Sequence, residues 1–223
     1  MLKENVEKVL LEIANGNNLG EPITLVGATK TIPVDVINQS IEYGVKVVAE
    51  NKVNEFREKT NGIIGASQHF IGHLQTNKVK YLVGKVELIH SVDSLHLAKA
   101  ISEQAVKKGV CQDILVQVNI GCEEQKGGIS PDQVFEQVKE FTTLANLNVV
   151  GLMAMLPISS DQEYLKNLCL QMREFYDKLN MQGYNLKHLS VGMSADYKIA
   201  IQNGSNMIRL GSIIYGKRNY GGI

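Results

Sequence analysis

Cysteine, proline and net charge are all scarce in this chain, and each scarcity excludes something. Its three cysteines, Cys111, Cys122 and Cys169, are an odd number without C-x-x-C spacing, which argues against both a disulfide framework and a structural zinc site and points to a reducing cytosol. Only 4 prolines occur in 223 residues, and the 20 glycines are spread between apolar segments. With no Ser/Pro-rich stretch, long charge run or low-complexity block to act as a linker, a single domain over residues 1–223 is expected. Lys+Arg and Asp+Glu both count 23, so there is no overall electrostatic case for a nucleic acid or an anionic membrane as partner. No run approaches the roughly 18 apolar residues of a membrane span. The opening MLKENVEKVLLEIA carries acidic residues and repeats Leu2, Val6, Val9, Leu10 and Ile13 at helical intervals, so it reads as an amphipathic helix and not as a signal peptide.

What the chain does have is a 44% hydrophobic content organised as a regular alternation. After the first helix, short β-branched runs predict strands at 23–29, 45–49, 69–72, 86–91, 114–119, 149–155, 188–192 and 207–210. Helical patterns fall between them at 34–43, 52–59, 75–82, 95–107, 131–144, 162–182 and 195–202. Runs such as ILVQVNI and VVGLMAM are too apolar to have a wet face, as expected of parallel strands covered by helices. Pro33, and Pro131 behind Ser130, stand where helices should begin, Asp93 or Ser94 can cap the helix after the fourth strand, and Gly44, Gly84, Gly109 and Gly183 stand where helices should end. Eight strand–helix alternations favour a closed (β/α)8 TIM barrel with an extra N-terminal helix over an open doubly wound sheet.

In a barrel, chemistry belongs at the C-terminal ends of the strands. Lys30 closes LVGATK at the end of the first strand. A lysine in a partly desolvated cup is a candidate for imine formation, because burial favours the neutral, nucleophilic amine. Near the seventh strand, VGMSADYKIAIQNG puts Gly192 and Ser194 just before a helix, and Gly211 and Ser212 follow the eighth strand. Two hydroxyls and free backbone amides there can surround a phosphate, although glycines in such places can equally serve a turn. Arg209, inside the apolar run MIRLG, reads either as an ion-pair member or as the partner of a ligand heteroatom. Facing a pyridine nitrogen, it would keep that nitrogen unprotonated. His69 and His73 flank FIG, but their spacing on a strand and turn does not align two rings on a metal. Glu50 is a candidate general base, although a carboxylate at a strand end more often orients a neighbour. Tyr197 and Tyr215 read as ordinary half-buried phenols, and the loop EEQKGGIS, with Glu123, Glu124, Lys126, Gly127 and Gly128, reads as a solvated turn before a mobile rim loop.

Taken together, the segments LVGATKTIP, VAENKVNEF, HFIGHLQTNK, LVQVNI with EEQKGGI, GLMAM, LSVGMSADYKIAIQNGS and MIRLGSIIYGKRNY resemble the YggS/PROSC family, the pyridoxal phosphate homeostasis proteins related to the barrel domain of alanine racemases. The resemblance covers nearly the whole chain in family order. It implies that Lys30 carries pyridoxal 5′-phosphate as a Schiff base, that Ser194, Gly211 and Ser212 hold the phosphate, that Arg209 approaches the pyridine nitrogen, and that Asn51 and the HFIG segment line the pocket beside the ring. Lys78, in QTNK, belongs to the same signature at the rim. Gln68, Val191 and Ala195 depart from the family pattern, standing where an aromatic residue, Met and Asp are frequent.

The function so implied is a cytoplasmic, monomeric protein that reversibly stores and delivers pyridoxal 5′-phosphate to dependent apoenzymes, without catalysis of its own. Racemases of this lineage use a second domain to bring a tyrosine opposite the lysine, and this chain reaches Ile223 soon after its eighth strand. The rival readings are an amino-acid racemase using Lys30 with Tyr215 or a histidine, and a phosphate-sugar enzyme using Lys30 as an aldolase-type Schiff base without cofactor.

Overall fold

Runs of apolar and β-branched residues form eight parallel strands: β1 (Thr24–Ala28), β2 (Val47–Glu50), β3 (Ser67–Phe70), β4 (Leu88–Val92), β5 (Gln112–Val118), β6 (Leu147–Ala154), β7 (His188–Met193) and β8 (Met207–Leu210). In the computed structural model, which describes residues 1–123 and 125–216, they pair in sequence order and close into a barrel. Glu124 and residues 217–223, the end of the last family-like segment, lie outside the described residues. Closure is made by β1 against β8, with Val26 opposite Arg209 and Gly27 opposite Leu210.

The period-2 alternation of a strand decides which side chains enter the barrel. Val26, Ala49, Leu88, Leu115, Val150, Met153 and Met207 form the interior cluster. Their neighbours Leu25, Val48, Ile208 and Leu210 point outward, onto the helices. The outer layer comprises α1 (Leu2–Ile13), α2 (Val34–Glu42), α3 (Val53–Lys59), α4 (Leu95–Lys108), α5 (Val134–Thr142), α6 (Gln162–Met181), α7 (Tyr197–Ile201) and α8 (Ser212–Tyr215). The buried face of α1, Val6, Val9 and Ile13, packs in one cluster with Ile208, Leu210 and Ile214, and Asn5 Nδ2 donates to the carbonyl of Ile214 at 3.1 Å.

Local differences from the sequence reading have physical causes. The stretch expected as a helix at 75–82 is a 3-10 helix, Thr76–Tyr81, in which Val79 alone is buried, so no apolar stripe supports a longer α-helix. The helix expected from 195 starts at Tyr197, because the Asp196 carboxylate accepts the Met193 amide at 2.6 Å and shapes the turn first. Ser94 is the cap of α4, accepting from the Leu97 amide at 3.3 Å. The four-residue α8 was not expected. Among the described residues, no helix is long and apolar enough to cross a membrane.

Candidate functional site

Lys30 stands two residues past Ala28, the last residue of β1, at the C-terminal mouth, is half-buried, and shares strand parity with inward Val26. Its two neighbours are clamped from behind the sheet. Thr29 points outward, where its hydroxyl donates to Glu50 Oε1 at 2.7 Å. From α3, Lys59 Nζ donates to the Thr29 carbonyl at 3.0 Å, to Glu50 Oε1 at 2.8 Å and to Glu55 Oε2 at 3.0 Å. Glu55 Oε2 in turn accepts the Thr31 amide at 2.7 Å. Thr31 has φ of 65°, a region that a β-branched side chain rarely enters, so the clamp holds the turn in a strained shape.

This arrangement decides between the two readings of Glu50, in favour of the orienting one. Glu50 is not placed to act as a base in the cup: it follows inward Ala49, faces the outer layer and pairs with Lys59. Burial raises its pKa, against the opposing hydrogen bonds of Lys59 and Thr29. Lys59 and Glu55 were missed because they work through the backbone of their neighbours from an outer helix.

Ser194, Gly211 and Ser212 do come together. The Gly211 amide donates to Ser194 Oγ at 3.3 Å, and the amides of Ser212 and Ile213 donate to no described residue. Gly192, with φ of 104°, has Tyr197 Cα within 2.9 Å of where a Cβ would stand, so only glycine lets the chain turn into Ser194. A Cβ on Gly211 would lie 3.4 Å from the carbonyl oxygen of Ala28, which sets this turn beside the end of β1, two residues before Lys30.

Arg209 points into the barrel and is 4% exposed. It donates from Nη1 to the Ser190 carbonyl at 2.7 Å and Ser190 Oγ at 2.6 Å, and from Nη2 to the Ala154 carbonyl at 2.9 Å. No ion pair engages it among the described residues. Burial lowers its pKa to about 10, with Asp196 opposing, which still leaves it charged at neutral pH. Its Nε hydrogen and one Nη2 hydrogen remain free of described partners, as a ligand-facing arginine requires.

On the other side of the mouth, Asn51 Oδ1 is buried without a partner. Gly72 is obligatory next to it, since a Cβ there would meet the Asn51 carbonyl oxygen at 1.8 Å. The two FIG-flanking histidines separate: His69 is buried in the barrel, 3.0 Å from His90, whereas His73 is an exposed rim residue 3.4 Å from Asp93. Among the described residues no cluster of three or more His, Cys, Asp or Glu could hold a metal ion. Asn51, His73 and Lys78 share a rim recess of about 320 Å³, and Ser194 opens into a groove of about 820 Å³ between α1 and the 156–159 loop. Lys30, Arg209, Gly211 and Ser212 line neither.

The two tyrosines face away from the cup. Tyr215 OH lies 3.0 Å from Ser40 Oγ on α2, and burial lifts its pKa to about 12. Tyr197 OH donates to Glu12 of α1 at 2.5 Å. The 121–130 loop is more anchored than a solvated turn: Lys126 Nζ donates to the Leu156 carbonyl at 3.1 Å, and Gln117 Nε2 donates to the Gly127 carbonyl at 2.6 Å.

An all-parallel barrel with a lysine after its first strand and joined Ser194 and Gly211 turns after its last two defines a class, and residues 30–219 match the family described as alanine racemase, N-terminal domain. The pyridoxal phosphate homeostasis protein of Aquifex aeolicus is 41% identical over 221 residues, covering 97% of this chain and 95% of its own length. Among solved structures, an unknown protein from Bifidobacterium adolescentis superposes with TM-score 0.91 at 29% identity, covering 96% of this chain and 94% of its own. PipY of Synechococcus elongatus, with pyridoxal phosphate bound, superposes with TM-score 0.86 at 26% identity, covering 97% and 100%. The chain belongs to the pyridoxal phosphate homeostasis protein family, within the alanine racemase N-terminal domain class.

Proposed function

We propose that this chain is a cytoplasmic carrier that binds pyridoxal 5′-phosphate through one domain, holds it as a Schiff base on Lys30, and releases it to apoenzymes that depend on it. The observation that carries the reading is the convergence of the Lys30 strand end with the Ser194–Gly211 contact on one mouth of the barrel. The residues present fit the group. The amides of Ser212 and Ile213, which have no partner among the described residues, suit a phosphate, the Arg209 N–H groups without a described partner suit a ring nitrogen, and the orphaned Asn51 Oδ1 offers a polar contact beside the ring.

Bound there, the cofactor supplies an aldehyde carbon that an amine can hold reversibly. The chain's own groups do the rest. Ser194, Gly211 and Ser212 bind the phosphate, the Lys59–Glu55 clamp fixes the turn that carries the Lys30 amine, and Arg209, which gives up no proton at ordinary pH, keeps the ring nitrogen unprotonated. An unprotonated ring is a weak electron sink, which favours holding over turnover. The outward orientation of Tyr215 and Tyr197 also supports a carrier over a racemase, because neither phenol faces Lys30.

Absorption tests the reading. The protein reconstituted with pyridoxal 5′-phosphate is expected to be yellow, with a band that borohydride removes and that Lys30→Ala abolishes. A colourless protein that cannot be reconstituted sinks the proposal. Solvent-deuterium exchange at the α-carbon of amino acids well above that of the free cofactor would replace the carrier with an enzyme.

A further inference from the structure

A file of polar side chains runs through a barrel interior otherwise filled by residues such as Val26, Leu115 and Met153. Arg209 Nη1 donates to Ser190 Oγ at 2.6 Å, Ser190 Oγ lies 3.3 Å from His90 Nδ1, and His90 Nε2 lies 3.0 Å from His69 Nδ1. All four residues are buried. His69 also lines a cavity of about 210 Å³, together with Glu87, Asp113 and His188, at the opposite mouth.

Proton bookkeeping gives the file a direction. Arginine has no acceptor, so its N–H must be taken by Ser190 Oγ. The single hydroxyl proton of Ser190 then has one acceptor within reach among the described residues, His90 Nδ1. Burial pushes the His90 pKa well below its ordinary value and that of His69 down to about 3, so both rings are neutral. His90 therefore carries its proton on Nε2 and donates it to His69 Nδ1, and His69 carries its own on Nε2, left for the cavity it lines. The reverse assignment strands the serine hydroxyl proton in the core, unpaired among the described residues.

We propose that His90 and His69 are positioning residues for Arg209: a neutral, one-way hydrogen-bond chain that holds Ser190 against the guanidinium and so keeps its free N–H groups aimed at the ring nitrogen of pyridoxal phosphate. This rests on the proposed cofactor site. The chain acts only through Arg209, so its removal weakens a ligand to the extent that the ligand has a ring nitrogen to offer.

Two measurements test it. Long-range nitrogen–proton correlation spectra of the apo protein are expected to show both His69 and His90 as neutral Nε2–H tautomers near neutral pH. An Nδ1–H tautomer or an imidazolium at either ring overturns the chain without any reference to ligand. In titrations with ligand, His90→Phe, which fills the ring volume without its hydrogen bonds, is expected to weaken pyridoxal phosphate about tenfold. The same change should leave a carbocyclic analogue, with C–H in place of the ring nitrogen, within about twofold of wild type. His69→Gln is expected to lower the first affinity less, and again to spare the second. Equal losses for both compounds would mean a merely structural role and overturn the proposal. Wild-type protein that binds neither compound overturns the cofactor site itself, and the positioning role with it.

Discussion

Lys59 shows how a residue far from the cup can govern it. It is 13% exposed and bridges two carboxylates and the Thr29 carbonyl, so Lys59→Met leaves buried Glu50 uncompensated and the Thr29–Thr31 turn untied. Loss of one partner of a buried pair costs about 3–5 kcal/mol, which for a chain of this size lowers Tm by roughly 6–20 °C. Calorimetry of Lys59→Met checks this, and the double variant Lys59→Met/Glu50→Leu should recover part of the loss, because an apolar pair of similar volume escapes the desolvation cost. A single variant no less stable than wild type would show that the clamp carries no load. Lys30, Asn51, Ser194, Arg209, Gly211 and Ser212 could be named as candidates from the sequence, since strand ends announce themselves. Glu50 was visible with two readings, and the orienting one holds, since it bonds Thr29 and Lys59; strand parity was the available signal, because the residue after inward Ala49 must face out. Lys59, in NEFREKT, looks like any solvated helical lysine, and only the tertiary position of α3 reveals its role.

Element boundaries follow the same division between local and distant causes. Most strands were legible, because parallel strands buried on both faces are largely apolar, whereas β3, with the polar run Ser67-Gln68-His69, was read two residues late. The 3-10 helix Thr76–Tyr81 and the late start of α7 were not, since they depend on a single buried Val79 and on the Asp196 carboxylate finding the Met193 amide. Distant pairing also ties α6 to the connection between α1 and β1. Arg173 Nη1 and Nη2 donate to the two Glu21 oxygens at 2.7 and 2.9 Å, and Nη1 donates to the Gly204 carbonyl at 3.1 Å. The Arg173 hydrogen bonds hold the Glu21 pKa below its ordinary value, against desolvation. A depressed carboxylate contributes stability that is present above its unfolded pKa and lost as pH falls through the folded one. Glu21→Gln is therefore expected to cost about 2 kcal/mol at pH 7. The gap to wild type should close as urea midpoints are measured below about pH 4.5 and toward pH 3. A gap that is independent of pH would mean that the bidentate pair is not its source.

At the scale of the whole molecule, closing β1 onto β8 leaves no edge strand and sets residues from opposite ends of the sequence, Val26 and Arg209, side by side. The strand end before Lys30 and the Ser194–Gly211 contact therefore come together only when the entire barrel is formed, and the proposed site cannot persist in an unfolded or half-open chain. A ligand that binds only the closed state stabilises all of it, by about 2.7 kcal/mol at a hundred times Kd, or roughly 5–11 °C in Tm for a chain of this length. Thermal scans with pyridoxal 5′-phosphate should show a rise of that order. Lys30→Ala should unfold near the wild-type apo temperature, since a half-buried rim lysine with no described side-chain partner carries little of the fold, yet lose most of the shift. Inorganic phosphate, which can reach the cradle but offers Lys30 nothing to bond, should give a smaller shift that is the same in wild type and Lys30→Ala. A full shift retained by Lys30→Ala would separate the cradle from the amine and leave binding without the covalent hold, whereas a wild type unmoved by either compound would mean that the joined strand ends enclose no anion site.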